Sequence, residues 1–359
     1  MPDEGHKGKR RKNMSVKREF LGETKDGAPI YGYHMTNSQG MEVCLLNYGA
    51  TIRNIFVKDK DGEKRDVVLG FDDPEKYFDN SCFLGVVVGP VANRVGGASY
   101  EIDGKKFEMP VNDGPNNLHS DFDNGFHKRV WEAEETDDSV KFTLKADDGD
   151  LGFSGNRFFS VTYTLGEDNS LTLHYHATSD AKTMINVTNH CYFNLRGQGS
   201  GKITDHVAQF NSSKTTTVGE GLIPTGEIAD VEGTPFDFRK EKVIGLEIDA
   251  DNDQIALGGG YDHNFIIDGA DGTRRTFATV KCPDSGITMQ CSTTLPAFQF
   301  YAGNFLEAKG GKDGADYGKR DGFCLETQIH PDAIHHSNFP DAVFGPEREY
   351  DSITVYRFI

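Results

Sequence analysis

The chain has 359 residues, with 38 Lys and Arg against 56 Asp and Glu and a formal charge of −18. That length allows one large β domain or two ordinary ones, and 36% apolar residues with 41 glycines and 13 prolines exclude a disordered chain, collagen and a coiled coil. The acidity opposes nucleic-acid backbones, anionic membrane surfaces and strongly anionic substrates, and leaves neutral polar small molecules open.

Residues 1–18 hold seven Lys or Arg against Asp3 and Glu4, a local +5 that leaves −23 on the other 341 residues. They read as a disordered basic N-terminal extension. The alternative is a nuclear signal or RNA arm at His6–Lys12. No apolar stretch follows the basic residues, so no secretory signal is expected, and Met14 opens a more ordinary start. Residues 19–359 hold no Pro- or Ser-rich linker and are expected to form a single domain.

Further along, Asp61-Gly62 separates an apolar Ile52–Val57 from Val67–Leu69, and a proline opens a short turn at Pro74–Phe78. The longest apolar run, Phe83 to Ala92, contains two glycines and a proline and is far short of the ~20 residues of a membrane helix. Tyr100–Phe107 reads as a hairpin bent at Asp103-Gly104. Val140, Phe142, Leu144 and Ala146 alternate with polar residues. Phe159, Val161, Tyr163 and Leu165 do the same, and after a turn at Gly166–Ser170 so do Leu171, Leu173, Tyr175 and Ala177. His174 and His176 lie on the polar face of that hairpin and are expected in solvent. A second proline-opened turn is expected at Pro331–His335, where His335 and His336 lack a third ligand at metal spacing. With no βαβ rhythm, no phosphate-binding glycine motif and no fixed repeat, the expectation is all-β: one large antiparallel sandwich with few short helices. Six cysteines, at 44, 82, 191, 282, 291 and 324, form no C-x-x-C pair and read as reduced, mostly buried thiols of a cytoplasmic protein.

Two segments have a polar face unsuited to bulk water. From Met184 to Leu195, Ile185, Val187, Cys191, Phe193 and Leu195 suggest a core face. Asn186, Thr188, His190, Tyr192 and Asn194 carry no formal charge and suit a cleft that hydrogen-bonds a neutral polyol; the alternative is a polar patch in a loop junction. In Phe323–His330, Glu326 sits in an apolar strand, where desolvation raises its pKa towards that of a usable base; the alternative is a Glu paired with an Arg across the sheet. Asp262 and Gln299 are likewise polar residues inside apolar runs.

These segments resemble the aldose 1-epimerase (galactose mutarotase) family, from roughly Phe20 to Phe358. The resemblance is carried by Leu46-Asn-Tyr-Gly-Ala-Thr51, Asp66-Val-Val-Leu-Gly-Phe71, Val91-Ala-Asn-Arg-Val95, Asn117-Leu-His119 and Thr188-Asn-His-Cys-Tyr-Phe-Asn-Leu195. Pro224-Thr-Gly-Glu227, Gly233-Thr-Pro-Phe-Asp-Phe-Arg239, Tyr261-Asp-His-Asn-Phe265, Gln299-Phe-Tyr-Ala-Gly-Asn304 and Cys324-Leu-Glu-Thr-Gln328 complete it. It implies a supersandwich with a concave sugar cleft, interconversion of the α and β anomers of free aldoses such as galactose and glucose, and neither metal nor organic cofactor. It implies Glu326 as general base on the C1 hydroxyl and His190 as general acid on the ring oxygen. His119, Asp262, Asn93, Arg94 and Gln299 match positions that hold the sugar, and Tyr192 could line the cleft. Glu326 would start ionised and His190 protonated, with the acidic body helping to keep the histidine charged.

The chain departs from the family at Pro90, Ser120, Asp121 and His127, which bears on substrate preference. His127 is expected to add a titratable group near the sugar loop. Two other functions compete: a non-catalytic carbohydrate-binding protein, and a hexose-6-phosphate epimerase on the same fold. The acid–base pair speaks against the first. Arg94, as the only cation in the matched cleft motifs, speaks against the second. A monomer and a homodimer are both compatible with the sequence.

Overall fold

The computed structural model describes residues 16–359. Strands dominate, and every pairing between strands is antiparallel. Three sheets build the body. A five-stranded meander runs Lys17–Glu23, Pro29–Thr36, Glu42–Leu46, Thr51–Lys58 and Lys64–Asp66. A nine-stranded sheet runs Glu132–Glu135, Ser139–Ala146, Arg157–Leu165, Ser170–Ser179, Tyr350–Phe358, Thr288–Thr293, Arg275–Lys281, Val207–Phe210 and Lys242–Val243. A second five-stranded sheet, in the order Pro224–Asp230, Lys214–Val218, Asp262–Ile266, Ala297–Tyr301 and Cys324–Gln328, carries one wall of the cleft.

The expected hairpins are present. Phe159 faces Ala177, Val161 faces Tyr175 and Tyr163 faces Leu173, all buried. The alternate face is wet: His174 and His176 are half-exposed and pair with Asp351 at 2.8 Å and Glu349 at 2.9 Å. At the Tyr100–Phe107 bend both Asp103 (φ 53°) and Gly104 (φ 78°) are left-handed, the turn that Asp-Gly favours.

Four expectations are corrected. Lys17 and Arg18, assigned to the basic extension, open the first strand and pair with His34 and Tyr33. Charged side chains are well suited to an edge strand, where they discourage further pairing. The rest of the extension, with His6–Lys12 and Met14, lies outside the described residues. The Asp61-Gly62 turn was expected to fold Val67–Leu69 back on Ile52–Val57 as a hairpin, but the strand it returns is Lys64–Asp66. A short helix at Asp253–Gly258 was not anticipated; the Asn252 side chain caps it, accepting from the N–H groups of Gln254 and Ile255.

The fourth correction concerns Met184–Leu195, which is not one alternating strand. It is an irregular run with two-residue strands at Thr183–Met184 and Thr188–Asn189, and both its sides are buried. Its asparagines replace the missing ladder. Asn186 donates to the Ile329 carbonyl at 3.1 Å and accepts from the Ile329 N–H at 2.8 Å. Asn189 donates to Gly85 O at 2.9 Å, and Asn194 donates to Gly201 O at 2.7 Å and Asp321 O at 3.0 Å. Buried backbone groups in an irregular segment need such partners. Of the polar residues in this run, His190 and Tyr192 reach the cleft.

Candidate active site

The wall of the cleft follows from a period of two. Opposed residues in antiparallel strands share a face. Asn264 faces Gln299, and Gln299 faces Glu326; one step along, Asp262 faces Tyr301, and Tyr301 faces Cys324. These rows form the outer face of the sheet. Phe265, Phe298, Phe300 and Leu325 point the other way, where Phe210 and Phe277 of the nine-stranded sheet pack on Phe298 with ring centroids 5.2 and 4.5 Å away. A carboxylate at 326 is therefore held on a stiff, apolar-backed strand.

The opposite wall comes from four short segments, around Phe83, Asn93, His119 and His190. His190 sits with Nε2 3.7 Å from Glu326 Oε1, and its Nδ1 lies 3.6 Å from Cys324 Sγ. Phe83 stacks on its ring at 5.8 Å and Tyr192 leans on it at 5.0 Å. His119 meets the His190 ring edge-on at 5.4 Å. Asn93, in the left-handed region at φ 62°, places its backbone N–H 3.0 Å from His119 Nδ1. Arg94 Nε donates to Asp113 Oδ2 at 2.8 Å, and Gln299 Nε2 donates to Asp262 Oδ1 at 2.7 Å. All seven residues singled out from the sequence (Glu326, His190, His119, Asp262, Asn93, Arg94 and Gln299) line this one cleft, with Tyr192.

Cys82, Phe83, Phe122, Tyr301 and Phe305 line it too and were not foreseen. Tyr301 was legible, two residues from Gln299 on the same face. Phe83 was hidden in an apolar run. Of the departures, none lines the cleft. Ser120 Oγ both donates to Val91 O and accepts from Val91 N, each at 2.9 Å, which ties the His119 loop to the Asn93 segment. His127 is buried against Phe83 and burial pulls its pKa down to about 3, so it stays neutral and does not add the titrating group expected of it.

Burial also sets the state of the central pair. It raises the Glu326 pKa well above the usual carboxylate range; Asp262 adds to the rise and Arg94 opposes it. It lowers His190 to about 4. This corrects the expectation that the acidic body keeps His190 charged: desolvation of the ring outweighs distant, solvent-screened acids. Between those values the pair carries one proton, and the uncharged arrangement is favoured. Burial raises Asp262 as well, against the pull of Arg94 and the Gln299 hydrogen bond.

His119, His190 and Glu326 form the one cluster of three potential metal ligands found among the described residues, with ligand atoms within 4.8 Å of one another. The Asn93 N–H can only donate, so neutral His119 must accept on Nδ1 and carry its proton on Nε2. Burial keeps that ring neutral. It therefore offers the cleft a proton rather than a lone pair, which fits an oxygen of a ligand better than a cation.

Residues 31–357 match the family model described as aldose 1-epimerase. The chain belongs to the aldose 1-epimerase family. A galactose mutarotase from Bos taurus is 40% identical over 346 residues, 96% of this chain and 99% of that one. An Escherichia coli aldose 1-epimerase is 38% identical over 93% of this chain and 96% of its own length. Two solved structures, an aldose epimerase homologue from C. elegans (31% identical) and a galactose 1-epimerase from Lactobacillus acidophilus (30%), each superpose with a TM-score of 0.83 and cover 96% of this chain and 99% of their own. This member of the aldose 1-epimerase family is an isomerase with the expected antiparallel sandwich.

Proposed function

We propose that this aldose 1-epimerase interconverts the anomers of a neutral aldohexose such as galactose or glucose, with Glu326 as base and His190 as acid. The observation that carries the assignment is the 3.7 Å approach of Glu326 Oε1 to His190 Nε2 inside a buried cleft, where two groups share one proton. Glu326 takes the proton from the C1 hydroxyl, the C1–O5 bond breaks, and O5 takes a proton from His190. The aldehyde turns about C1–C2, and reclosure runs both transfers backwards. Ring opening converts a charged pair into an uncharged one. The resting pair is uncharged, so the reactive form is reached first by passing the shared proton from Glu326 to His190, and ring opening then returns the pair to the uncharged form that burial favours. His119, through Nε2–H, and Arg94 donate to the reacting oxygens, while Asp262, Gln299 and Asn93 hold the remaining hydroxyls.

Among the described residues, Arg94 is the only Lys or Arg lining the cleft and is already engaged by Asp113, which favours a neutral sugar over a sugar phosphate. Six unpaired cysteines suit a reducing compartment, and we place the enzyme in the cytoplasm. The test is magnetisation exchange between the anomeric protons of galactose, glucose, xylose and arabinose. Catalytic amounts of the protein should accelerate exchange for at least one hexose. Sugar binding without accelerated exchange overturns the proposal in favour of a carbohydrate-binding protein.

A further inference from the structure

Asp262 has a hydrogen-bond donor beside it, and the orientation of that donor is set several residues away. The series starts at a group that cannot turn over, the backbone N–H of Arg94, which donates to Asn93 Oδ1 at 2.8 Å. Asn93 must therefore present its Nδ2 to the other side, where it donates to Gln328 Oε1 at 3.5 Å. With its oxygen so used, Gln328 directs Nε2 to Asn264 Oδ1 at 2.9 Å and to Gln299 Oε1 at 3.1 Å. Gln299, its oxygen taken, turns its own Nε2 to Asp262 at 2.7 Å. Gln328 is fully buried, two residues beyond Glu326 on the same face of the strand, and does not line the cleft. Asn264 Nδ2 is buried without a partner, so Asn264 serves this chain as an acceptor only. A planar amide read in reverse exposes oxygen where nitrogen stood, so reversing one member reverses all those after it.

We infer that Gln328 is a positioning residue of the sugar site: it passes a fixed donor–acceptor polarity from the Arg94 backbone to Asp262, so that Asp262 meets an N–H and keeps its carboxylate oxygens for sugar hydroxyls. This deepens the proposed reading of Asp262 as a sugar ligand and rests on it. Burial holds a carboxyl at 328 protonated, as it does Glu326, so its effect is read at alkaline pH; once ionised, that carboxylate has no hydrogen to give. It would draw Gln299 Nε2 towards itself and turn Gln299 Oε1 against Asp262, oxygen against oxygen. An apolar side chain at 328 removes the donor without reversing anything, and Gln299 remains free to donate to Asp262.

The experiment compares Gln328→Glu and Gln328→Met in galactose anomer exchange, with KM and kcat determined separately. Both variants lose thermal stability, since each leaves buried groups unpaired. The expected split is that Gln328→Glu raises KM at least about tenfold while Gln328→Met stays within about threefold, with kcat similar in both. In an Asp262→Asn background, where the amide at 262 can turn to meet either neighbour, Gln328→Glu adds less than about threefold. Equal KM effects of Glu and Met overturn the inference, as does a Glu effect that persists with Asn at 262. If Gln328→Glu does not fold, Gln328→Met decides alone: a large KM rise assigns Gln328 a structural role and contradicts the relay. Absence of exchange by the wild-type enzyme is a different failure, that of the activity itself.

Discussion

Replacing Glu326 with glutamine should cost activity and add stability, with a pH dependence that reports how the buried pair holds its proton. The folded carboxyl has a raised pKa, so the stability it confers is fully present below its unfolded value of about 4.5 and is lost as pH rises through the folded value. Glutamine has no such loss. The variant should match wild type within about 1 kcal/mol at pH 4, since the two side chains are then both uncharged and isosteric. For each pH unit above 4.5 through which the pair retains its proton, the variant should gain about 1.4 kcal/mol relative to wild type. In a domain of this size that is roughly 2 °C in Tm per kcal/mol. Urea or thermal unfolding of both proteins at one-unit steps from pH 4 to 8 reads the gap directly. A gap that stays flat above pH 4.5 means that Glu326 sheds its proton like an exposed carboxyl, and the desolvation argument then fails.

Three further predictions follow from the same geometry. The rate profile should show a broad plateau, because the pair gains a second proton only near His190's value of about 4 and loses its single one well above the ordinary carboxylate range; a narrow bell with flanks at about 4.5 and 6.5 would show an unperturbed pair. Dialysis against EDTA should leave turnover unchanged within about twofold, since His119 presents N–H and not a lone pair; restoration of lost activity by zinc would contradict that tautomer. Lys312→Met should cost about 3–5 kcal/mol in denaturant unfolding, because it strands the Asp66 carboxylate that Lys312 Nζ meets at 2.7 Å with both side chains largely buried; a loss below about 1 kcal/mol would show that water reaches the pair.

The strand Cys324–Gln328 was legible because it obeys a simple rule: alternate residues face opposite ways, so Glu326 had to share a side with Cys324 and Gln328. The hairpins from Val140 to Ala177 were legible for the same reason. Met184–Leu195 misled because its apolar and polar residues also alternate, yet both sides are enclosed, and its asparagines serve the backbone of distant loops rather than a ligand. The helix at Asp253–Gly258 is too short for periodicity and was signalled only by its Asn252 cap and Gly259. Long-range facts were beyond reach: that Asp113 engages Arg94, that Asn93 sets the tautomer of His119, and that burial overrides the charge of the acidic body at His190. Each depends on which loops meet, and the local pattern does not carry that information.

The most direct test of the account is polarimetry on freshly dissolved α-D-galactose with equal amounts of wild type, Glu326→Gln and His190→Asn. The account predicts that wild type speeds the decay of optical rotation in proportion to its concentration, and that each variant, though folded, loses at least about a hundredfold. A variant that decays at the wild-type rate would show that the proton passes through other groups and that Glu326 and His190 are not the acid–base pair.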